Sequence, residues 1–248
     1  MKPRIAIFRA KGPNKNPYFT ENLKELNYTI LNYPILKVKK IPTNNLVFQK
    51  NNVVLTTSFY SIYYLSRMTM ERNFKLYTLG EASKNLAKEL GFKNIIECNR
   101  DSDRMLEVFL NNNKSSSFKQ KGTLIYLGAK NISYNLPAKL TSLGYVIERH
   151  KIYKTENVKK LNKDFINLVQ KKSIAWIVLL SIKGARNFYS LSNKIFSKEE
   201  ISELKFACLS KNIADVLVKK NYKKKFCSFP NVQYIKKLIL NSEGEHGT

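Results

Sequence analysis

The stretch that decides the fold occurs twice, as Ile5–Lys11 (IAIFRAK) and as Leu124–Lys130 (LIYLGAK). Each copy is a short apolar run that leads into a segment with helical spacing and then into an extended segment. The two extended segments are Tyr33–Val38 (YPILKV) and His150–Thr155 (HKIYKT). A spacing of about 120 residues is too long for a solenoid repeat and predicts a duplicated α/β unit.

Further apolar runs rich in β-branched residues follow these two copies, and the repeat extends to them, because Val53–Ser58 (VVLTTS) resembles Trp176–Ser181 (WIVLLS). They are Val53–Thr57, Lys75–Leu79, Ile174–Leu180 and Lys205–Leu209. Most of these runs lead into a longer stretch with helical spacing. Alternating strands and helices predict an α/β fold with mainly parallel sheets. Ile174–Leu180 is apolar throughout, as expected of a strand that helices cover on both faces.

The repeat allows two domain divisions. If the extended segments near 33–41 and 148–158 are crossover strands, residues 42–147 form one domain, and residues 1–32 with 159–248 form the other. The alternative is a simple boundary within the polar stretch Asn111–Gly122 (NNNKSSSFKQKG). The pattern alone fits both divisions.

Composition narrows the class of protein. The chain has 248 residues, 43% of them hydrophobic, which excludes global disorder. Its three cysteines have no metal-ligand spacing and are expected to be reduced thiols of a cytoplasmic protein. The run of 18 apolar residues that a membrane span needs is missing, and the N-terminal apolar stretch is too short for a signal peptide, so no membrane contact is expected.

The net charge of +26 has two readings. It favours a polyanionic partner such as nucleic acid, anionic lipid or a polycarboxylate. However, only eight of the 44 cations are arginines, and lysines spread along the whole chain are also typical of an AT-rich genome. The densest basic run, Lys219–Phe226 (KKNYKKKF), is interpreted as a solvated helix end or loop.

Cofactor motifs are missing from the sequence. The nine glycines form neither a dinucleotide fingerprint nor a phosphate-binding loop, which disfavours nicotinamide, flavin and ATP. The only histidines are His150, interpreted as a solvated hinge residue, and His246, in the polar C-terminal tail. So few histidines disfavour a histidine-based metal site or catalytic triad.

Polar residues that follow the predicted strands are the candidate ligand-binding residues, because open α/β sheets bind ligands at the carboxyl ends of their strands. Ser58 and Ser181 each precede a predicted helix and could hold a carboxylate or phosphate, or simply cap the helix. Arg9 and Lys183 could bind anions or be ordinary surface cations. The corresponding turns elsewhere contribute Ser83, Ser210 and Asn212.

Tyr153 lies in the second proposed crossover strand. A tyrosine in a strand is usually a packing residue. At a ligand site, its phenol could instead donate a hydrogen bond or a proton to a leaving group.

These pieces, in this order, resemble the uroporphyrinogen-III synthase family over nearly the whole chain. The resemblance is carried by IAIFRA, NYPILKV, the strand ending in TTS at 56–58, LGEASKNLAKELGFKNI at 79–95, VIERHKIY at 146–153, Ser181 followed by KGARNF, FACLSKNIADVL at 206–217 and a final helix near Val232–Leu240. The resemblance implies two similar Rossmann/flavodoxin-like domains joined by a two-stranded β-ladder. It places the first and last segments in one domain and so selects the division with two crossovers.

The resemblance also implies a reaction without cofactor or metal. The family substrate, hydroxymethylbilane, carries an acetate and a propionate on every pyrrole ring and would suit a lysine-rich protein. It loses its terminal hydroxyl to give an azafulvene cation, and ring D is inverted through a spiro-pyrrolenine. Tyr153 matches the tyrosine thought to assist loss of the hydroxyl, and Ser58, Ser83 and Ser181 match hydroxyl positions of the site.

One departure from the family concerns the last turn. The family often has Gly and Thr where this chain has Ser210 and Ile213. The carboxylate contact that the family threonine makes would therefore have to be made here by Ser210 or by backbone N–H groups. Expected partners are the bilane and, transiently, hydroxymethylbilane synthase. The chain is expected to be a cytoplasmic monomer without nucleic-acid or membrane partners.

Two other functions compete with this reading. A bilobed protein that binds a small molecule or polyanion without catalysis could share the fold. Its periplasmic form would need a secretion signal, which the N-terminus does not predict. A nucleic-acid-binding protein would need clustered arginines and lysines with interleaved aromatics.

Overall fold

The computed structural model describes residues 2–12, 23, 26–43, 46–98, 101–113, 124–132, 134–217, 222–226 and 232–244. Most of the polar stretch Asn111–Gly122 lies outside these ranges, as do Cys227, His246 and the start of Lys219–Phe226.

Strands and helices alternate along most of the described chain. The strands are β1 (Arg4–Lys11), β2 (Thr29–Lys40), β3 (Val53–Thr56), β4 (Lys75–Leu79), β5 (Asn94–Cys98), β6 (Leu124–Ala129), β7 (Ile147–Asn157), β8 (Ile174–Leu179), β9 (Lys205–Cys208) and β10 (Lys223–Phe226). The helices are α1 (Phe59–Leu65), α2 (Glu81–Glu89), α3 (Ser102–Asn112), α4 (Leu136–Ser142), α5 (Lys163–Gln170), α6 (Ile182–Ser192), α7 (Lys198–Ser202), α8 (Lys211–Ala214) and α9 (Val232–Gly244), and Asp215–Leu217 forms a 3₁₀ turn.

Side-chain caps fix where several helices begin. The Asp101 carboxylate accepts from the backbone N–H of Arg104 at the start of α3, 2.9 Å away. Asn135 and Asn162 cap α4 and α5 in the same way. Such caps satisfy backbone donors that the first turn of a helix leaves without a partner.

Contacts within the chain divide it into two compact units. The first unit consists of Met1–Val38 and Glu156–Thr248, and the second unit of Lys39–Thr155. The chain passes from one unit to the other within β2 and within β7.

Corresponding strands have the same spatial arrangement in the two units. The first unit runs β2-β1-β8-β9-β10 and the second runs β7-β6-β3-β4-β5, and neighbouring strands within each unit are parallel. Counted along the chain, the first unit has the doubly wound order 2-1-3-4-5, and the second has 5-4-1-2-3, which is the same spatial arrangement with the chain order circularly permuted. The predicted α/β class with mainly parallel strands is therefore confirmed. That the units are separate domains with a two-stranded ladder stays a prediction.

A bulge recurs at the same place in both units. The β1–β2 register changes after Arg9, so that Ala10 lies opposite Leu36 and Ile35 is skipped. The β6–β7 register changes after Gly128, so that Ala129 lies opposite Tyr153. The duplication predicted from the sequence thus extends to the pairing of individual residues.

The sheet of the first unit is covered on both faces. Ile5 and Ile7 point to one side of β1 and pack in a cluster with Trp176, whereas Ala6 and Phe8 belong to the cluster on the other side. All four side chains are at most 2% exposed. Burial on both faces explains why β1 reads as a continuous apolar run.

One sequence interpretation was wrong, and one strand was missed. Residues Lys223–Phe226 form strand β10, parallel to β9, and not a helix end or loop. Strand β5 was not predicted. His150 lies inside β7, is half-buried, and places its Nε2 3.1 Å from a Glu148 carboxylate oxygen, and its interpretation as a hinge residue stays a prediction.

Asn187 of α6 connects two chain segments at the bulge of the first unit. Its buried amide donates to the carbonyl oxygens of Ile35 (2.9 Å) and Val158 (3.1 Å). We expect Asn187→Ala to lower the free energy of unfolding by about 1–3 kcal/mol, because buried carbonyls lose their donor. Thermal and chemical unfolding measure this change. Ser190→Ala, at an exposed position of α6, is the control, and an equal small effect of both variants would contradict the role of Asn187.

Candidate functional site

The turn after β3 is organised by hydroxyl groups. The strand ends at Thr56, and Ser58 is the N-cap of α1. The Ser58 Oγ accepts a hydrogen bond of 3.2 Å from the backbone N–H of Tyr60. The Ser58 N–H in turn contacts the Thr56 Oγ1 at 3.4 Å. This is the cap predicted for a serine at a strand-to-helix turn.

Strand β7 brings Tyr153 to this turn. The Tyr153 phenol donates a hydrogen bond of 2.8 Å to Ser58 Oγ, which joins residues 95 positions apart. Tyr153 is only 6% exposed, whereas Ser58 is partly exposed. The phenol proton is therefore directed at the serine.

Aromatic rings hold the Tyr153 ring in place. The centroids of Tyr60 and Tyr64, both on α1, lie 6.2 Å from that of Tyr153, and the Tyr64 ring is stacked on it. Tyr126 of β6 makes a 3.1 Å hydrogen bond with the Thr57 hydroxyl, beside Ser58. Gly128 leaves room for the Tyr126 ring, since a Cβ there would lie 2.7 Å from Cε1.

Burial raises the pKa of the Tyr153 phenol to about 12. Its hydrogen bond to Ser58 lowers the pKa, as does the nearby Ser61 hydroxyl, whereas Tyr126 and Tyr60 raise it. Tyr153 is therefore protonated at neutral pH and has a proton to donate there.

Ser83 lies at the start of α2 in the second unit. The cap position is taken by Gly80, whose φ of +78° favours glycine, and the Ser83 N–H donates to the Gly80 carbonyl at 3.2 Å. Ser83 is only 4% exposed. It thus lies in the first turn of the helix and is not the cap itself.

In the first unit, charged and polar groups follow β1 and β8. Arg9 is half-buried near the end of β1, opposite Pro34. Ser181 is the exposed N-cap of α6, with its Oγ 3.1 Å from the Gly184 N–H, and Lys183 lies in the first turn. These strands are neighbours, so Arg9 and Ser181 lie at the same edge of the sheet.

The carboxyl end of β9 lies at this same edge of the sheet, beside the end of β8. The Leu209 N–H donates to the Leu179 carbonyl at 3.0 Å and keeps the ends of β8 and β9 together. Ser210 begins α8 without a side-chain cap bond, and Asn212 is exposed. Ile213 is buried in the core, so this position does not present a polar group.

The structure thus joins Ser58 and Tyr153 directly and sets the first-unit residues along one sheet edge. Sequence reasoning missed Thr57, Ser61, Tyr64 and Tyr126. The spacing of Tyr60 and Tyr64, one helical turn apart, was the available signal for an aromatic face on α1.

Within the ranges that the structure describes, no group of three or more His, Cys, Asp or Glu side chains could hold a metal ion. The described helices include none that is long and apolar enough to span a membrane.

The raised pKa of Tyr153 predicts a loss of stability at alkaline pH. The folded protein keeps a proton that the unfolded chain releases near pH 10, so the free energy of unfolding falls as pH rises from 10 towards 12. In Tyr153→Phe the free energy of unfolding should fall less steeply with pH than in wild type, by up to about 1.4 kcal/mol per pH unit. Denaturant unfolding from pH 9 to 11 measures the slope. An identical slope in both proteins would mean that the phenol ionises equally in the folded and unfolded states.

Comparison with solved structures shows the fold. The structure of uroporphyrinogen-III synthetase from Helicobacter pylori aligns with a TM-score of 0.62 at 16% identity, covering 96% of this chain and 99% of that chain. A mutant uroporphyrinogen III synthase from Thermus thermophilus aligns with a TM-score of 0.49 at 12% identity, covering 98% and 100% of the two chains. The comparison with curated protein sequences finds no significant match.

Comparison with family models gives the more specific result. The model described as uroporphyrinogen-III synthase HemD matches residues 18–230, far more than half of the chain. This agrees with the resemblance found in the order of the sequence motifs, and the chain belongs to the uroporphyrinogen-III synthase family.

Proposed function

We propose that this enzyme cyclises hydroxymethylbilane to uroporphyrinogen III with inversion of ring D. The observation that carries the proposal is the hydrogen bond between Tyr153 and Ser58 at the end of β3, in a chain of this family. It places a neutral proton donor in contact with a partly exposed hydroxyl.

The first step is loss of the terminal hydroxyl of the bilane. Tyr153 is buried and its proton points at Ser58, so the proton reaches the substrate through Ser58. The phenol passes its proton to Ser58 as Ser58 passes its own proton to the departing hydroxyl. The C–O bond breaks, water leaves, and an azafulvene cation and a phenolate remain. The phenolate regains the proton that ring D gives up when the macrocycle closes.

The later steps depend on positioning. The substituted carbon of ring D attacks the cation to form a spiro-pyrrolenine, which fragments and closes again with ring D inverted. Closure without the enzyme gives the uninverted isomer, so the protein must hold the bilane in the conformation that favours this attack. Fixing the reacting atoms can contribute several kcal/mol, and one weak acid then suffices.

The acetates and propionates of the substrate bind to the polar groups at the strand ends. In the first unit, Arg9 and Lys183 supply positive charge, and Ser181 adds its hydroxyl at the start of α6, where the helix dipole also favours an anion. Ser58 plays the corresponding part in the second unit.

Three further residues belong to the proposed binding set. Ser210 has a hydroxyl that is not used as a helix cap, and Asn212 offers an exposed amide. Ser83 adds a hydroxyl in the first turn of α2. Ser210 takes the place of the family threonine, since Ile213 is in the core.

Other parts of the proposal rest on the family. They are a lyase reaction that needs no cofactor or metal, a cytoplasmic monomer, transient contact with hydroxymethylbilane synthase, and two domains joined by a two-stranded ladder.

Typing the product tests the function and Tyr153 together. Wild-type protein with hydroxymethylbilane should give isomer III, whereas a protein that only binds the bilane would leave isomer I. Tyr153→Phe should lower kcat roughly 10- to 100-fold at similar KM, because it removes the proton donor and keeps the ring.

Tyr33→Phe is the matched control for this variant. Tyr33 is also a buried strand tyrosine, and its phenol donates to Asp164 at 2.6 Å in the first unit. Both variants should lose about 1 kcal/mol of stability, but only Tyr153→Phe should lose rate. Equal rates for the two variants would remove Tyr153 from the reaction.

Salt dependence tests whether positive charge captures the substrate. KM should rise with ionic strength while kcat changes little, because salt screens attraction between cations and carboxylates. Arg9→Gln should raise KM and weaken this salt dependence. Arg104→Gln removes the same charge from an exposed residue of α3 that pairs with Glu107, and it should leave KM unchanged. If both variants behave alike, Arg9 is a surface cation.

A further inference from the structure

Ser61 is an unusual serine on α1. Its side chain is completely buried, and among the residues that the structure describes its Oγ has no hydrogen-bond partner. Several other helical serines donate to a carbonyl of the preceding turn, such as Ser192 to Tyr189 (3.2 Å) and Ser242 to Leu238 (2.6 Å). A buried hydroxyl without a partner is costly and calls for an explanation.

The face of α1 on which Ser61 lies is the face that contacts Tyr153. Ser58, Ser61 and Tyr64 follow one another at three-residue spacing, which places them on one side of a helix. Ser58 binds the Tyr153 phenol and Tyr64 stacks on its ring. Ser61 lies between these two contacts and therefore faces Tyr153.

We propose that Ser61 is a positioning residue for Tyr153, whose hydroxyl donates a hydrogen bond to the phenolate oxygen once the phenol has given up its proton. This rests on the proposed function, in which Tyr153 is the proton donor. A phenol oxygen that donates to Ser58 can still accept from a second hydroxyl. While Tyr153 keeps its proton, a hydrogen bond from Ser61 to the neutral phenol oxygen would stabilise the protein little. After proton transfer, the Ser61 O–H faces a negative charge in a buried site, where such a bond is strong.

Ser61 adds to the effect of Ser58, whose hydroxyl also favours a negative charge on the Tyr153 oxygen. The titratable groups that affect the phenol are Tyr60 on α1 and Tyr126 on β6, and both oppose a negative charge there. The Ser61 hydroxyl acts in the opposite direction and favours the ionised phenol. Ser61 thus offsets part of the cost of forming a phenolate in a buried position.

Titration of Tyr153 tests the proposal without substrate. Replacing all tyrosines by 3,5-difluorotyrosine lowers their pKa values into a range that the protein tolerates, and ¹⁹F NMR then follows each ring, with Tyr153→Phe assigning its signal. Ser61→Ala should raise the pKa of residue 153 by about one unit, since it removes a hydrogen bond to a charged group. Ser66→Ala, which removes a serine bonded to the Tyr63 carbonyl at the end of α1, should not change it. An unchanged pKa in Ser61→Ala overturns the proposal.

Kinetics and stability separate positioning from a structural role. Ser61→Ala should lower kcat roughly 3- to 10-fold at constant KM, and it should have no further effect in a Tyr153→Phe background. Its Tm should be equal to or above that of wild type, because no hydrogen bond is lost. A lower Tm with an unchanged pKa would make Ser61 a packing residue. If the protein does not act on hydroxymethylbilane at all, the NMR titration still decides whether Ser61 stabilises the phenolate.

Discussion

Pairing of β1 with β8 is the constraint on which the arrangement of the first unit depends. β1 is buried on both faces and has β2 and β8 as its neighbours, so both of its edges are hydrogen-bonded. In the second unit β6 is placed in the same way between β7 and β3. Strand order reverses direction at these central strands, and the crevice at their carboxyl ends is where doubly wound sheets bind ligands. Arg9 lies near the end of β1, Ser181 follows β8, and Ser58 follows β3.

The contact between Tyr153 and Ser58 follows from this order. β7 and β3 are separated by β6, so the two backbones are about 10 Å apart. A long tyrosine side chain can cross this distance, and Gly128 and Ala129 keep the end of the intervening strand small. The bulge places the corresponding residue of the first unit at Leu36, which is part of the hydrophobic core. The duplicated scaffold therefore carries the phenol in one unit only.

The strands could be predicted from the sequence because parallel strands covered on both faces leave continuous apolar runs. The two strands that were missed lie at the edges of their sheets, where that signal weakens. β5 is half-buried over most of its length, and β10 begins with three lysines, a composition that protects an exposed edge from pairing with other chains. Ser58 and Tyr153 were identified singly, from a strand-end rule and a family resemblance. Their bond, and the part played by Thr57, Tyr126 and Ser61, could not be predicted because it depends on which strands become neighbours.

The divided first unit has a consequence for synthesis on the ribosome. The N-terminal segment with β1 and β2 emerges first, but β8 emerges only after the entire second unit has been made. Throughout that interval the backbone edge of β1 that will pair with β8 has no partner and its apolar faces are not fully covered. The second unit, in contrast, is continuous in sequence and can fold as soon as residue 155 is free. A nascent chain interrupted at that stage would hold the Tyr153–Ser58 pair in a folded unit. It would still expose an apolar N-terminal strand that can associate with other chains. The order of translation therefore makes this protein most prone to aggregate before its last third appears.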